Sequence, residues 1–153
     1  MSDAADRDYS FIVCATKCVP EVKKTTDILL PLLERLSSSP NTAIVLLQNG
    51  IGIEDQVLDW LNQNGLGNTV ISGCAWVDAT MVDGGRKVVQ HGNEKLVLGY
   101  HRPQASHSTY EKSFKEAGAK MQLDTFCSLL KAGGTNPEAV DDIDIARWRK
   151  VLW

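Results

Sequence analysis

Two short loops hold the residues best suited to chemistry: "ATKC", which contains Lys17, and "QNGIG", in which Asn49 is followed by Gly50 and Gly52. Each follows an apolar run, Phe11 to Ala15 in the first case and Thr42 to Gln48 in the second. If those runs are neighbouring parallel strands, both loops lie outside the carboxyl ends, where open α/β sheets take their ligands. A lysine there can hold a phosphate or carboxylate as a point charge. An asparagine offers a donor and an acceptor together and can bridge a ligand amide or hydroxyl. Gly50 and Gly52 would let a ligand approach the backbone closely. The competing reading makes Lys17 a solvated side chain and Asn49-Gly50 a helix-entry turn, and spacing by itself favours that plainer reading.

A third candidate lies in "DIDIARWRKVLW". Ile143, Ala146, Lys150 and Trp153 fall on one helical face at spacings of three and four. A lysine on an otherwise apolar stripe can be partly desolvated, which lowers its pKa and suits it to proton transfer. The plainer alternative has Lys150 bury its stem and keep its ammonium in water, and spacing favours it here too. Asp78 follows "CAWV" and reads as an edge-strand residue before a buried acid; His91 reads as a surface residue before a general base. Cys14 and Cys74 fall in strands and read as core packing. "GIGIED" is not the dinucleotide fingerprint G-x-G-x-x-G/A, because Asp55 stands where the third small residue belongs, and no other stretch matches it.

The chain that must position these residues has 153 of them, 43% apolar, enough for one domain with a substantial core. A net charge of −3 spreads over 16 basic and 19 acidic residues without a long run of either sign, which argues against a nucleic-acid groove or a polybasic membrane patch. No apolar stretch approaches the ~20 residues needed to span a bilayer. "MSDAADRDYS" lacks the basic start and apolar middle of a signal peptide. Cys14, Cys18, Cys74 and Cys127 are scattered and read as reduced thiols of a cytosolic protein. His91, His101 and His107 lack helical ligand spacing, so no metal site is expected.

The pattern predicts a strand over Phe11 to Ala15, buried on both faces. A helix follows in "PEVKKTTDILLPLLERL", opened by Pro20, with Val22, Leu29, Leu33 and Leu36 on its apolar side. Pro31 should break or kink it. After the Ser37 to Asn41 loop comes a second buried strand, Thr42 to Gln48. Asn49-Gly50 could be a hairpin tip. However, Ile53, Val57, Trp60 and Leu61 follow at spacings of four, three and one, with Glu54 and Asp55 in the first turn, so the segment reads as strand, loop, helix. Two such units predict parallel strands side by side. Thr69 to Val82, Arg86 to Gly92 and Glu94 to Tyr100 then read as an antiparallel meander divided by "DGG" and "GN". A helix from about Tyr110 to Ala132, interrupted by Gly118, precedes a short strand and a last helix capped by Asp142.

Taken in order, "VCATK", "LLQNGIGIED", "ISG", "VVQHG" and "DIDIARWRKVLW" resemble ketopantoate reductase (2-dehydropantoate 2-reductase) over nearly the whole chain from about Asp8. The resemblance implies an α/β, Rossmann-type fold, half of a doubly wound sheet. It implies NADPH as cofactor, a small 2-oxo acid as substrate, and a place in pantothenate synthesis. Carried over by motif, Lys17, Asn49 and Gly50 would contact the cofactor. Asn49 and Lys150 would contact the substrate, and Lys150 would be the general acid. The domain reading is a polar segment over 1–8, a partial cofactor domain over 9–141, and over 142–153 the start of a helix leading to a missing helical domain. Family members also have an opening strand and glycine-rich turn that this chain lacks, so weak or no NADPH binding and no activity are expected of it alone. The alternatives are a non-catalytic α/β remnant or partner-binding module, and a related 2- or 3-hydroxy acid dehydrogenase. The apolar first strand, without its neighbour, is expected to make the chain self-associate through its edge.

Overall fold

The computed structural model describes residues 7–102 and 109–152. Its centre is a five-stranded sheet in the order β1-β2-β3-β4-β5. β1 (Phe11–Cys14), β2 (Ala43–Leu46) and β3 (Val70–Val82) are parallel, β4 (Lys87–Tyr100) is antiparallel to β3, and β5 (Glu138–Ala139) is parallel to β4. The helices are α1 (Thr25–Leu33), α2 (Ile53–Gln63), α3 (Thr109–Ala132) and α4 (Ile143–Val151). The fold is therefore α/β and Rossmann-like, as the strand-helix alternation requires.

Two apolar clusters show the layering. Leu29, Leu33, Val57 and Leu61 of α1 and α2 pack with Ile12, Ile44, Leu46 and Val70 on one face. Leu123, Phe126 and Cys127 of α3 cover Ala43, Val45, Ile71 and Leu98 on the other. β2 is buried at every position, as a central parallel strand between helical layers must be. β1 departs from the expected burial on both faces: Phe11 meets Phe126 of α3, but Val13 is 49% exposed. The strand lies at the sheet border, where α3 no longer covers it.

Four further expectations need correction. The first helix begins at Thr25, not at Pro20. Residues Val19 to Lys23 form a tight turn, with Val22 N–H donating to Val19 C=O, and Val22 is exposed. The start is set by tertiary structure, because the buried Thr25 hydroxyl donates to Gln48 Oε1 at 3.0 Å. Pro31 lies within α1, and the helix continues two residues beyond it before Glu34 N–H closes on Leu30 C=O. Coming this late, the proline removes little of the ladder.

The meander is instead one long hairpin. The two expected strands from Arg86 to Gly92 and from Glu94 to Tyr100 merge into the single strand β4, which starts at Lys87, and the chain reverses only at Asp83–Gly85. Trp76 pairs with Lys95 and Asp78 with His91, so Val77 alone opposes Gly92, Asn93 and Glu94. "GN" is a bulge, with Gly92 at φ 68°, because β3 is long enough to pair on both sides of it. Likewise α3 runs through Gly118 without a break. β5 and the Asp142 cap match the expectation, with Asp142 Oδ1 accepting from Asp144 N–H and Ile145 N–H. No helix among the described residues is long and apolar enough to cross a membrane.

Candidate active site

Register places the site. Cys14 pairs with Leu46, and Leu46 with Ser72, so Lys17, Asn49 and Ala75 each lie three residues beyond one paired row. β1 and β2 end there, while β3 continues upward into the hairpin and forms a wall beside the two loops. Gly50 (φ 128°) and Gly52 (φ 81°) take the left-handed backbone needed to turn from β2 directly into α2.

Beneath the loops is a polar floor. Gln48 is buried between two hydroxyls, accepting from Thr25 and donating to Thr16 Oγ1 at 3.1 Å. This bond ties the ends of β1 and β2 to the start of α1. Glu54, in the first turn of α2, is buried and accepts from Ser72 Oγ at 2.8 Å. Arg147 of α4, also buried, pairs with the Glu54 carboxylate and donates to Ser72 Oγ and Gly50 C=O. Burial pushes the guanidinium down to about 10, which leaves it charged at neutral pH. A carboxylate and a guanidinium can be buried this deep because each offers the other a partner.

Lys150, one turn further along α4, brings its ammonium to the rim. Nζ donates to Asn49 Oδ1 at 2.7 Å and to Ala75 C=O, and stands 5.2 Å from the centre of the Trp76 ring. Its pKa is lowered, first by burial; the nearby Cys74 thiol opposes the shift and the Arg147 charge adds to it. Burial in turn pushes the Cys74 thiol up, against the pull of Lys150. Lys150 therefore does not simply snorkel. Its ammonium is spent on protein acceptors at the mouth of the crevice.

Of the residues singled out in the sequence, Asn49, Gly50 and Lys150 are brought together. Lys17 occupies the same level but is exposed and makes no hydrogen bond or ion pair among the described residues. Asp78 and His91 lie exposed on the hairpin, and Cys14 and Cys74 are buried in the core. Trp153, placed on the Lys150 stripe, lies outside the described residues.

Sequence reasoning missed Glu54, Ser72, Gln48 and Arg147. Glu54 looked like a first-turn residue serving the helix dipole, and nothing in linear spacing links it to Arg147, 93 positions away. It also missed His101. The ring of this residue lies between the first turns of α2 and α4, with Nε2 3.3 Å from Asp55 Oδ1 and Nδ1 3.8 Å from Asp144 Oδ1.

Comparison with known proteins gives these positions a setting. The family model described as "Ketopantoate reductase PanE/ApbA" matches residues 1–103. An uncharacterized protein of Saccharomyces cerevisiae is 27% identical over 160 residues, covering 99% of this chain and 42% of the yeast protein. A 2-dehydropantoate 2-reductase of Nostoc sp. is 24% identical over 148 residues, covering 95% of this chain and 42% of the cyanobacterial one. The chain thus spans well under half the length of these curated relatives. Among solved structures, D-mandelate dehydrogenase in ternary complex with NADH and anilino(oxo)acetate superposes with a TM-score of 0.56 at 20% identity, covering 95% of this chain and 39% of that one. That likeness supports the fold.

Proposed function

We propose, from the premise that this chain belongs to the ketopantoate reductase family, that it carries the proton-donating half of a site that reduces a small 2-oxo acid to the 2-hydroxy acid. The observation that carries the reading is the Lys150–Asn49 contact at the ends of the parallel strands. Lys150 is an ammonium with lowered proton affinity, held where a ligand carbonyl could replace its protein acceptors. It would polarise the carbonyl oxygen and give it a proton as negative charge grows there. Asn49 orients the Lys150 ammonium through its Oδ1 and can hydrogen-bond the substrate through its amide nitrogen. Lys17, exposed at the same level and without a partner among the described residues, suits an anionic group of substrate or cofactor.

A reduced nicotinamide cofactor, NADPH in the family reading, supplies the hydride when bound. The residues present fit its reacting end: Asn49 offers a carboxamide, and Gly50 leaves the loop without a side chain. They supply no glycine-rich turn for its pyrophosphate. The test is a chimera in which this segment replaces its counterpart in the Nostoc 2-dehydropantoate 2-reductase, assayed for NADPH oxidation with a panel of 2-oxo acids. Turnover with ketopantoate supports the reading. Turnover only with another acid would move the substrate but keep the chemistry. A chimera that folds and binds NADPH yet oxidises it with no 2-oxo acid would refute the proposal.

A further inference from the structure

We propose that Arg147 is the positioning residue of this site: by gripping Glu54, Ser72 and the Gly50 carbonyl at once, it sets where the Lys150 ammonium stands against Asn49 and Ala75. The inference rests on the proton-donor reading of Lys150 and extends it to a residue that touches no ligand.

The geometry begins with α4, which is only nine residues long. Its first turn is held by the Asp142 cap and by Ile143, packed with Cys74 and Val97. Its outer side gives no grip, since Ile145 and Trp148 are about half exposed. Ala146 packs into the same small cluster, and beyond it the turn that carries Lys150 is anchored through the buried Arg147, three residues earlier on the same face, and through the bonds of Lys150 itself.

Arg147 is suited to that task because a guanidinium is a rigid planar fork with donors in fixed directions. Nε donates to Ser72 on β3, one Nη to the Gly50 carbonyl, and the other Nη meets the Glu54 carboxylate on α2. Three elements are thus keyed to one side chain that is 4% exposed. Gly50 directly follows Asn49, so the same grip fixes the loop that presents Asn49 to Lys150. Both partners of the 2.7 Å bond are referenced to one group. Placement matters at this scale, since a shift of about 1 Å in a catalytic group can cost roughly 10²-fold in rate. A lysine at 147 could keep the charge opposite Glu54 but could not reach the other two acceptors in fixed directions.

The test reads the seat of Lys150 directly. In the intact chain labelled with 13C at lysine Cε, the Hε protons of Lys150 should be displaced upfield by the Trp76 ring; Lys150→Gln assigns the signal. Arg147→Met should abolish that displacement and move the Lys150 titration up toward the other lysines. If Arg147→Met fails to fold, Arg147→Lys, which retains a cation for Glu54, should lose the displacement too. Arg149→Met, on the exposed side of the same helix, should keep it. A folded Arg147 variant with lowered Tm but an unchanged Lys150 signal would overturn the proposal, reducing Arg147 to a purely structural residue. Lys150 signals coincident with the other lysines in the unsubstituted chain would overturn the seat itself. The proton-donor reading fails separately, on an unchanged kcat for Lys150→Ala in the chimera.

Discussion

Glu54→Ala is the substitution from which the structure expects the largest loss of stability. The Glu54 side chain is 2% exposed and its carboxylate faces Arg147, 4% exposed. Removing it leaves the guanidinium buried with only two neutral oxygens, Ser72 Oγ and the Gly50 carbonyl. Breaking a buried pair from one side typically costs about 3–5 kcal/mol, most of it from the charge left behind. Whole domains are stable by roughly 5–15 kcal/mol, so this is a large fraction of the total. With a urea slope of about 2 kcal/mol/M, the midpoint should fall by roughly 2 M with little change in slope. The double variant Glu54→Leu/Arg147→Met should recover most of the loss, because well-packed apolar groups can replace a buried pair at little cost. The assay is urea unfolding followed by far-UV circular dichroism, with both single variants completing the cycle. A Glu54→Ala cost below about 1 kcal/mol would show that water reaches Arg147, and the argument for a desolvated pair would fail.

Five other expectations are open to direct measurement. In the chimera, Lys150→Ala should lower kcat by about 10²–10⁴ while leaving NADPH affinity nearly unchanged, and steady-state kinetics with kcat intact would remove its assigned role. Because burial lowers the Lys150 pKa, the unsubstituted chimera should lose rate as pH rises through a value below the ordinary lysine range; a rate that persists into that range counts against the assignment. Gly73→Ala should destabilise by about 1–3 kcal/mol, since an added Cβ would lie 2.5 Å from Leu47 Cδ2 and 2.9 Å from Leu98 Cδ2. Gly118→Ala, with nothing within 4 Å, should stabilise α3 by roughly 1 kcal/mol, and thermal melts that reverse this order would contradict the packing described. Finally, β1 pairs only with β2 among the described residues and its Val13 is exposed, so the chain should self-associate through that edge; light scattering that finds a monodisperse monomer over a wide concentration range would refute this.

Local chemistry was enough to read the strand-helix alternation. The apolar runs at Phe11 and Thr42 read as strands, although only the second proved buried throughout, and the spacing from Ile53 to Leu61 excluded a hairpin at Asn49-Gly50. The Asp142 cap and the helix after it were legible for the same reason, since capping acts over two or three residues. Where two structures share one local signal, sequence was insufficient. Gly92-Asn93 can make a turn or a bulge, and the length of β3 opposite it decided for the bulge. Pro20 can open a helix, yet a bond from Thr25 to Gln48, just beyond the end of β2, moved the start five residues on.

The site divides along the same line. Asn49 and Lys150 could be nominated from residue type and motif, but only the register of β1, β2 and β3 and the packing of α4 bring them to 2.7 Å. Glu54, Ser72 and Arg147 lie within the motif stretches, but nothing in their type or spacing links them to one another. Their role exists only because α2, β3 and α4 bury them against one another, and burial turns a solvated charge into one that must find a partner.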